Sequence, residues 1–200
     1  MAKKRRAGPA PTSEVVDRLL TTACALFYRE GIQAVGVQRL IDEAGVAKAS
    51  FYAHFPSKDD LVAAYLDRNG AAWRAKVQAE VLDPFLDPRA RLRRMLDVQT
   101  AWIESEQFRG CPFQKVGGEL YAPSATARRV TEKHRRWLRA LFHDLVEAAG
   151  IRPVAPVAGA LLVLFDGAAA TVLVDRNPAA ARDARWAAER IIDGQLTIAD

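Results

Sequence analysis

Eleven consecutive residues, "KASFYAHFPSK" from Lys48 to Lys58, gather side chains that suit a polyanion better than they suit a reaction. Lys48 and Lys58 can pair with phosphate, while Ser50, Tyr52 and His54 can hydrogen-bond to phosphate or to a base edge. Ala47 and Ala49 offer only apolar contact, such as with a thymine methyl, or a close approach of the backbone. The candidates for catalysis are weaker. His134, His143, Asp144 and Glu147 could be imagined as metal ligands, but only His143 and Glu147 share a helix face and no second histidine sits four residues away. No nucleophile elbow, phosphate loop or dinucleotide fingerprint is present. Accordingly no catalytic residue, metal or cofactor is assigned, and the chain is read as a non-enzyme.

The elements that position these side chains are helices. Apolar residues recur every three or four positions, Gly and Pro fall between the periodic segments, and no strand alternation is visible. A first helix follows a Thr12 or Ser13 cap, buries Val16, Leu19, Leu20, Ala23, Leu26 and Phe27, and ends at Gly31. Val37 to Ala44 forms a short second helix started by Gly36 and stopped by Gly45. A third runs from about Ala47 to His54, with Phe51 and Phe55 inward, closed off by Pro56 and the Ser57 cap of a long fourth helix. Two short helices around a tight glycine turn are either an ordinary helix hairpin or a helix-turn-helix, whose second helix is short because a DNA groove sets its length. Further helices follow Pro88 and Ser124, and two more span about Pro156–Asp175 and Pro178–Gln195, with a loop and short helix over "FRGCPFQKVGGEL" between them and the front.

Composition agrees with a folded protein that meets an anion. Half of the 200 residues are hydrophobic and the net charge is +5. Cys24 and Cys111 are the only cysteines, so free thiols and a cytoplasmic location are expected. The apolar run Val157–Val174 carries Asp166 and many small residues, and reads as a core helix rather than a membrane span. The Lys3–Arg6 run is not followed by an apolar core and is no secretory signal. It is either a solubilising tail or an arm that adds contacts to DNA.

The stretch "VQRLIDEAGVAKASFYAHFPSKDDL", with the preceding "ALFYREGIQAVGV", resembles the DNA-binding domain of the tetracycline-repressor (TetR) family of transcriptional regulators. Phe27, Gly31, Gly45, Val46, Lys48, Tyr52, His54, Phe55, Lys58 and Leu61 fall in that family's order and spacing. The resemblance covers roughly the first 75 residues and implies an all-α fold, with a three-helix helix-turn-helix domain followed by a C-terminal bundle for ligand binding and dimerisation. It implies a basic arm over 1–11, a DNA-binding domain over 12–72 and a second domain over 73–200. The expected DNA contacts are Gly36, Val37, Gln38, Ala47, Lys48, Ala49, Ser50, Tyr52, His54 and Lys58. Gly36 stands where the family often has Thr or Ser, and Ala49 where it often has Gly. The implied partners are double-stranded operator DNA with a palindromic sequence, a second copy of the chain, and a small effector that releases the DNA, with no membrane.

Gly110, Cys111 and Glu119 also match a pattern that some family members carry between the fifth and sixth helices. Trp102, Phe108, Cys111, Phe113, Tyr121, Trp137 and Phe165 are expected to line an apolar cavity, with Gln114 or Glu119 as its polar anchor, although such aromatics equally build a core. An alternative is a redox or electrophile response through Cys111 with no small effector. Ala158, Gly159, Gly167, Ala168, Ala169 and Ala170, with Leu161, Leu162, Leu164 and Leu173, are expected to pack the last two helices against a second subunit.

Overall fold

In the computed structural model, residues 12–119 and 124–194 are described, and among them the chain is helical throughout with no strand. Tyr121, the basic arm and the end of the expected last helix lie outside the described residues. The helices are α1 (Thr12–Glu30), α2 (Val37–Ala44), α3 (Lys48–His54), α4 (Lys58–Glu80), α5 (Pro88–Ile103), α6 (Pro112–Glu119), α7 (Ala125–Ala148), α8 (Val154–Asp175) and α9 (Ala179–Ile192). This is the all-α order expected from the periodicity, with the third helix starting one residue later because Ala47 is its extended N-cap.

Local chemistry sets the joints at the front. Gly45 takes φ +61°, where a Cβ would be strained, and the N–H groups of Gly45 and Val46 donate to the carbonyls of Asp42 and Ile41 at 3.2 Å each, closing α2. Phe55 then leaves helical geometry, and Pro56 could not continue the α3 hydrogen-bond ladder. Ser57 and Asp60 form a reciprocal capping box: the Asp60 N–H donates to Ser57 Oγ at 3.2 Å and the Ser57 N–H to Asp60 Oδ2 at 3.0 Å. Arg39 pairs with Glu30 of α1 and with Glu43, pinning α2 to the end of α1 and holding the Glu30 carboxyl down to about 2.

Two cores share α4. Its first half buries Leu61, Val62, Tyr65 and Leu66 with Leu19, Leu26, Phe27, Leu40, Phe51 and Phe55. The second half places Val77 and Val81 among Leu92, Met95, Leu141, Phe142, Leu145 and Leu161. The expected boundary at 72 therefore falls within one continuous helix, between its two buried ends. On α1 the register differs slightly: Val15 is buried and Val16 only half-buried, because α4 and the α2–α3 pair approach from the Val15–Leu19–Ala23 side. α8 is long and apolar enough to cross a membrane, yet one side of it lies in the core against α7 and α9, through Leu161, Leu162, Phe165 and Ala169.

Several residues expected at a partner surface are instead internal. Ala158, Leu161, Leu162, Ala168 and Ala169 are buried within the chain, because that side of α8 faces α7, α5 and α9. The outer face of α8 carries Gly159, Val163, Ala170 and Val174, with Val163 70% and Val174 78% exposed, and Trp186 of α9 is 58% exposed.

Candidate DNA-contact face and internal cavity

α3 is amphipathic over seven residues. Phe51 and Phe55 are buried against the front core, leaving Ala47, Lys48, Ala49 and Tyr52 exposed and Ser50 and His54 half-buried. Tyr52 is 46% exposed, its ring held edge-on to Phe51 at 5.1 Å between centroids. Among the described residues, Lys48, Tyr52 and His54 make no hydrogen bond or ion pair, so their polar groups are left to solvent or a ligand. Beside this face lies the start of α2. Gly36 is its extended, exposed N-cap and supplies no side-chain cap, which leaves first-turn N–H groups at the positive end of the helix unpaired within it. Val37 is half-buried, and the exposed Gln38 donates to Asp42 Oδ1 at 2.9 Å.

Lys58 departs from the expectation of a free phosphate ligand. Its Nζ donates to the Ile32 carbonyl at 2.6 Å and lies 6.0 Å from the centre of the Phe27 ring, and burial lowers its pKa. The cause is geometric: the capping box sets the first turn of α4 beneath the α1–α2 connection, so the lysine reaches inward to a carbonyl.

Behind this front lies a cavity of about 670 Å³ between α1, α4, α5, α6, α7 and α8. Of the expected lining residues, Trp102, Cys111, Phe113, Gln114 and Phe165 line it. Phe108 does not; it stacks edge-on behind Trp102 at 4.9 Å. Trp137 does not either, because it packs partly buried on the rear core. Gly118, although close in sequence, faces open space, so bulk placed there would not enter the cavity.

Glu119 is turned away from the cavity altogether. Its Oε2 accepts the Ile32 N–H at 2.6 Å and the Gln33 N–H at 3.3 Å, and its carbonyl accepts from Gln33 Nε2 at 3.3 Å. Gly31, at φ +92°, makes room for this carboxylate: a Cβ there would lie 3.1 Å from Glu119 Oε2. Lys115, one turn earlier, donates to the Tyr28 carbonyl at 3.0 Å. Thus α6 presents Pro112, Phe113 and Gln114 to the cavity at one end and grips the α1–α2 connection at the other.

Beyond Gln114, the polar part of the cavity was not expected. Tyr28 of α1, Asn69, Trp73 and Lys76 of α4, His134 and Arg135 of α7 and Asp166 of α8 all line it, as does Cys24 of α1. The Arg135 guanidinium grips Asp166 with two contacts, 2.8 and 2.7 Å. His134 is buried, stacks face to face on Phe113 at 3.8 Å, and has no partner at Nδ1. Burial, helped by Arg74 and Arg135, pushes its pKa down to about 4. Burial also raises the pKa of both thiols, Cys24 and Cys111, which disfavours their thiolate forms. His143, Asp144 and Glu147 do cluster, but all three are exposed on the outer side of α7. The one sequence signal for the buried polar set was Asp166, a lone carboxylate in an apolar run, which requires a partner if it packs.

The sequence carries the same family signature at the front. A family model described as bacterial regulatory proteins, tetR family, matches residues 19–65. Over nearly the whole chain the structure is similar to a TetR-family transcriptional regulator from Streptomyces coelicolor, with 32% identity, a TM-score of 0.84 and coverage of 91% of this chain and 96% of that one. Curated relatives align over shorter spans. The transcriptional activator FasR of Mycolicibacterium smegmatis is 33% identical over 51% of this chain and 46% of its own length. The repressor KstR2 of Mycobacterium tuberculosis is 33% identical over 43% and 42%. The chain spans less than two thirds of such relatives. With the glycine-turned α2–α3 pair at the front, a helical bundle behind and a likeness of this extent, the chain belongs to the TetR family of DNA-binding transcriptional regulators.

Proposed function

We propose that this chain is a cytoplasmic repressor that binds a palindromic operator as a homodimer and releases it when a small molecule occupies the cavity. Residues 12–72 are the DNA-binding unit and 73–200 the ligand-binding and dimerisation unit. Lys48, Ser50, Tyr52 and His54 face the DNA, Ala47 and Ala49 allow close approach, and the open start of α2 at Gly36, Val37 and Gln38 receives a phosphate. The outer face of α8, with Val163 and Val174, meets its copy together with α9.

The observation that carries the reading is the span of α6 from the cavity wall to the α1–α2 connection. A ligand that fits better when α6 and α4 are displaced draws the two recognition helices of a dimer off the roughly 34 Å spacing of successive major grooves. Ligand affinity must differ between the two forms, since equal binding shifts nothing.

Filling the cavity tests this. Ala72 is an exposed α4 residue on the cavity wall, so Ala72→Trp adds bulk without opening a core. Operator affinity should fall at least tenfold with dimer and helix content preserved, and unchanged affinity would contradict release by occupancy. Because the relatives include a named activator and a named repressor, transcription across the operator with and without the protein reads the sign.

A further inference from the structure

The cavity wall is electrically closed. Its charged side chains are Lys76, Arg135 and Asp166, and each is already paired: Arg135 bidentately with Asp166 at 2.7–2.8 Å, and Lys76 with Glu80 at 2.6 Å. An anionic ligand at the Arg135–Asp166 pair would have to displace Asp166, and a cationic one would have to displace Arg135, whereas the Lys76–Glu80 pair is exposed and screened by solvent. Either exchange leaves a charge poorly compensated beside an apolar surface. Much of the remaining surface is aromatic, from Trp73, Trp102, Phe113 and Phe165, which favours flat rings stacked or set edge-on, with the neutral polar side chains of Tyr28, Asn69, Ser105, Gln107 and Thr131 beside them.

Two buried polar atoms of this wall, among the described residues, are without a partner. Gln114 Nε2 donates to the Asp166 carbonyl at 3.1 Å, and this bond fixes which end of the amide is which, because a flipped amide would set two oxygens against each other. Gln114 Oε1 is consequently a buried acceptor with no partner, and the Nδ1 of His134, a side chain 95% buried and held neutral by its surroundings, is also without one. Unmade hydrogen bonds of this kind are costly, and a ligand that makes one gains what the free protein lacks.

We propose that the cavity takes an uncharged aromatic molecule bearing one O–H or N–H donor, which Gln114 accepts through Oε1. Because Oε1 is buried in the free chain, the Gln114 side chain has to turn toward the ligand for this bond to form. The proposal rests on the reading of the cavity as an effector site, and it adds which chemical class that site selects.

Equilibrium dialysis of the full chain against four naphthalenes of matched shape at pH 7 tests it: 2-naphthol, its methyl ether, 2-naphthoate and protonated 2-(aminomethyl)naphthalene. The naphthol should bind about fivefold tighter than the ether, as one net hydrogen bond gives. Both charged relatives should bind at least tenfold more weakly than the naphthol. In Gln114→Leu the naphthol's advantage should vanish while the ether's affinity stays within about twofold, which also shows that the variant is folded. Tightest binding by a charged relative, equal binding of naphthol and ether, an advantage that survives Gln114→Leu, or no binding below 1 mM by any of the four would each overturn the proposal. The expected ranking without any loss of operator affinity would support the ligand class and count against the effector reading instead.

Discussion

Glu119, the last residue of α6, holds the backbone N–H of Ile32 at 2.6 Å, and the carbonyl of the same Ile32 accepts Lys58 Nζ, also at 2.6 Å. One peptide segment between α1 and α2 is thereby gripped from the cavity side by α6 and from below by the first turn of α4. Both helices also line the cavity, so a shift of either moves the front of the molecule through hydrogen bonds rather than through loose packing.

Removing that grip should show first in stability. Glu119→Ala leaves two backbone N–H groups without their acceptor and should cost about 1–2 kcal/mol in urea unfolding, with Glu119→Gln recovering part of it. If the α6 link carries the signal, combining Glu119→Ala with Ala72→Trp should restore much of the operator affinity lost in Ala72→Trp alone. A full additive loss would show that the signal travels by α4 without α6.

On the DNA face, Lys48→Ala should weaken operator binding and lower the slope of log affinity against log salt by about one unit, the signature of one lost phosphate contact. Tyr52→Ala should reduce affinity without changing the oligomeric state, since its exposed ring lies edge-on to Phe51 of its own helix. Unchanged affinity in both would remove α3 from the interface.

Acid should act on His134. Its imidazole is neutral in the folded chain, with a pKa near 4, whereas in the unfolded chain it regains the ordinary value of about 6.5. Above pH 6.5 neither state is protonated and the contribution is fully present. As pH falls from 6.5 towards 4, the unfolded chain takes up the proton first and stability drops, by about 2 kcal/mol at pH 4.5. His134→Leu should flatten this part of the pH–stability curve, and an equal slope in the variant would place the proton uptake elsewhere.

The outer face of α8 makes a separate prediction. Val163→Arg sets a charge on a residue that is 70% exposed and should leave the monomer's own stability nearly unchanged. Sedimentation should then show the dimer dissociating at concentrations where the unchanged chain is paired. A variant that remains dimeric would move the interface off this face.

What was legible in the sequence follows the range of the interactions. The Gly45 turn, the Ser57 cap and the inward Phe51 and Phe55 are determined within a few residues, and each lies where the pattern put it. Long-range partners were not legible. Glu119 reads as a cavity anchor until Ile32, 87 positions away, is seen beneath it. Helical periodicity separates inside from outside, but it does not tell a core from a cavity wall. Trp137 and Trp102 therefore looked alike, although one packs on the rear core and the other faces the cavity.

The most direct test of the central claim is selection of genomic DNA fragments by the purified full chain, followed by binding to the best fragment at two salt concentrations. A short inverted repeat should emerge, bound by two copies of the chain and weakened steeply by salt. Recovery of no enriched sequence, or of a single half-site bound by one copy, would contradict the claim.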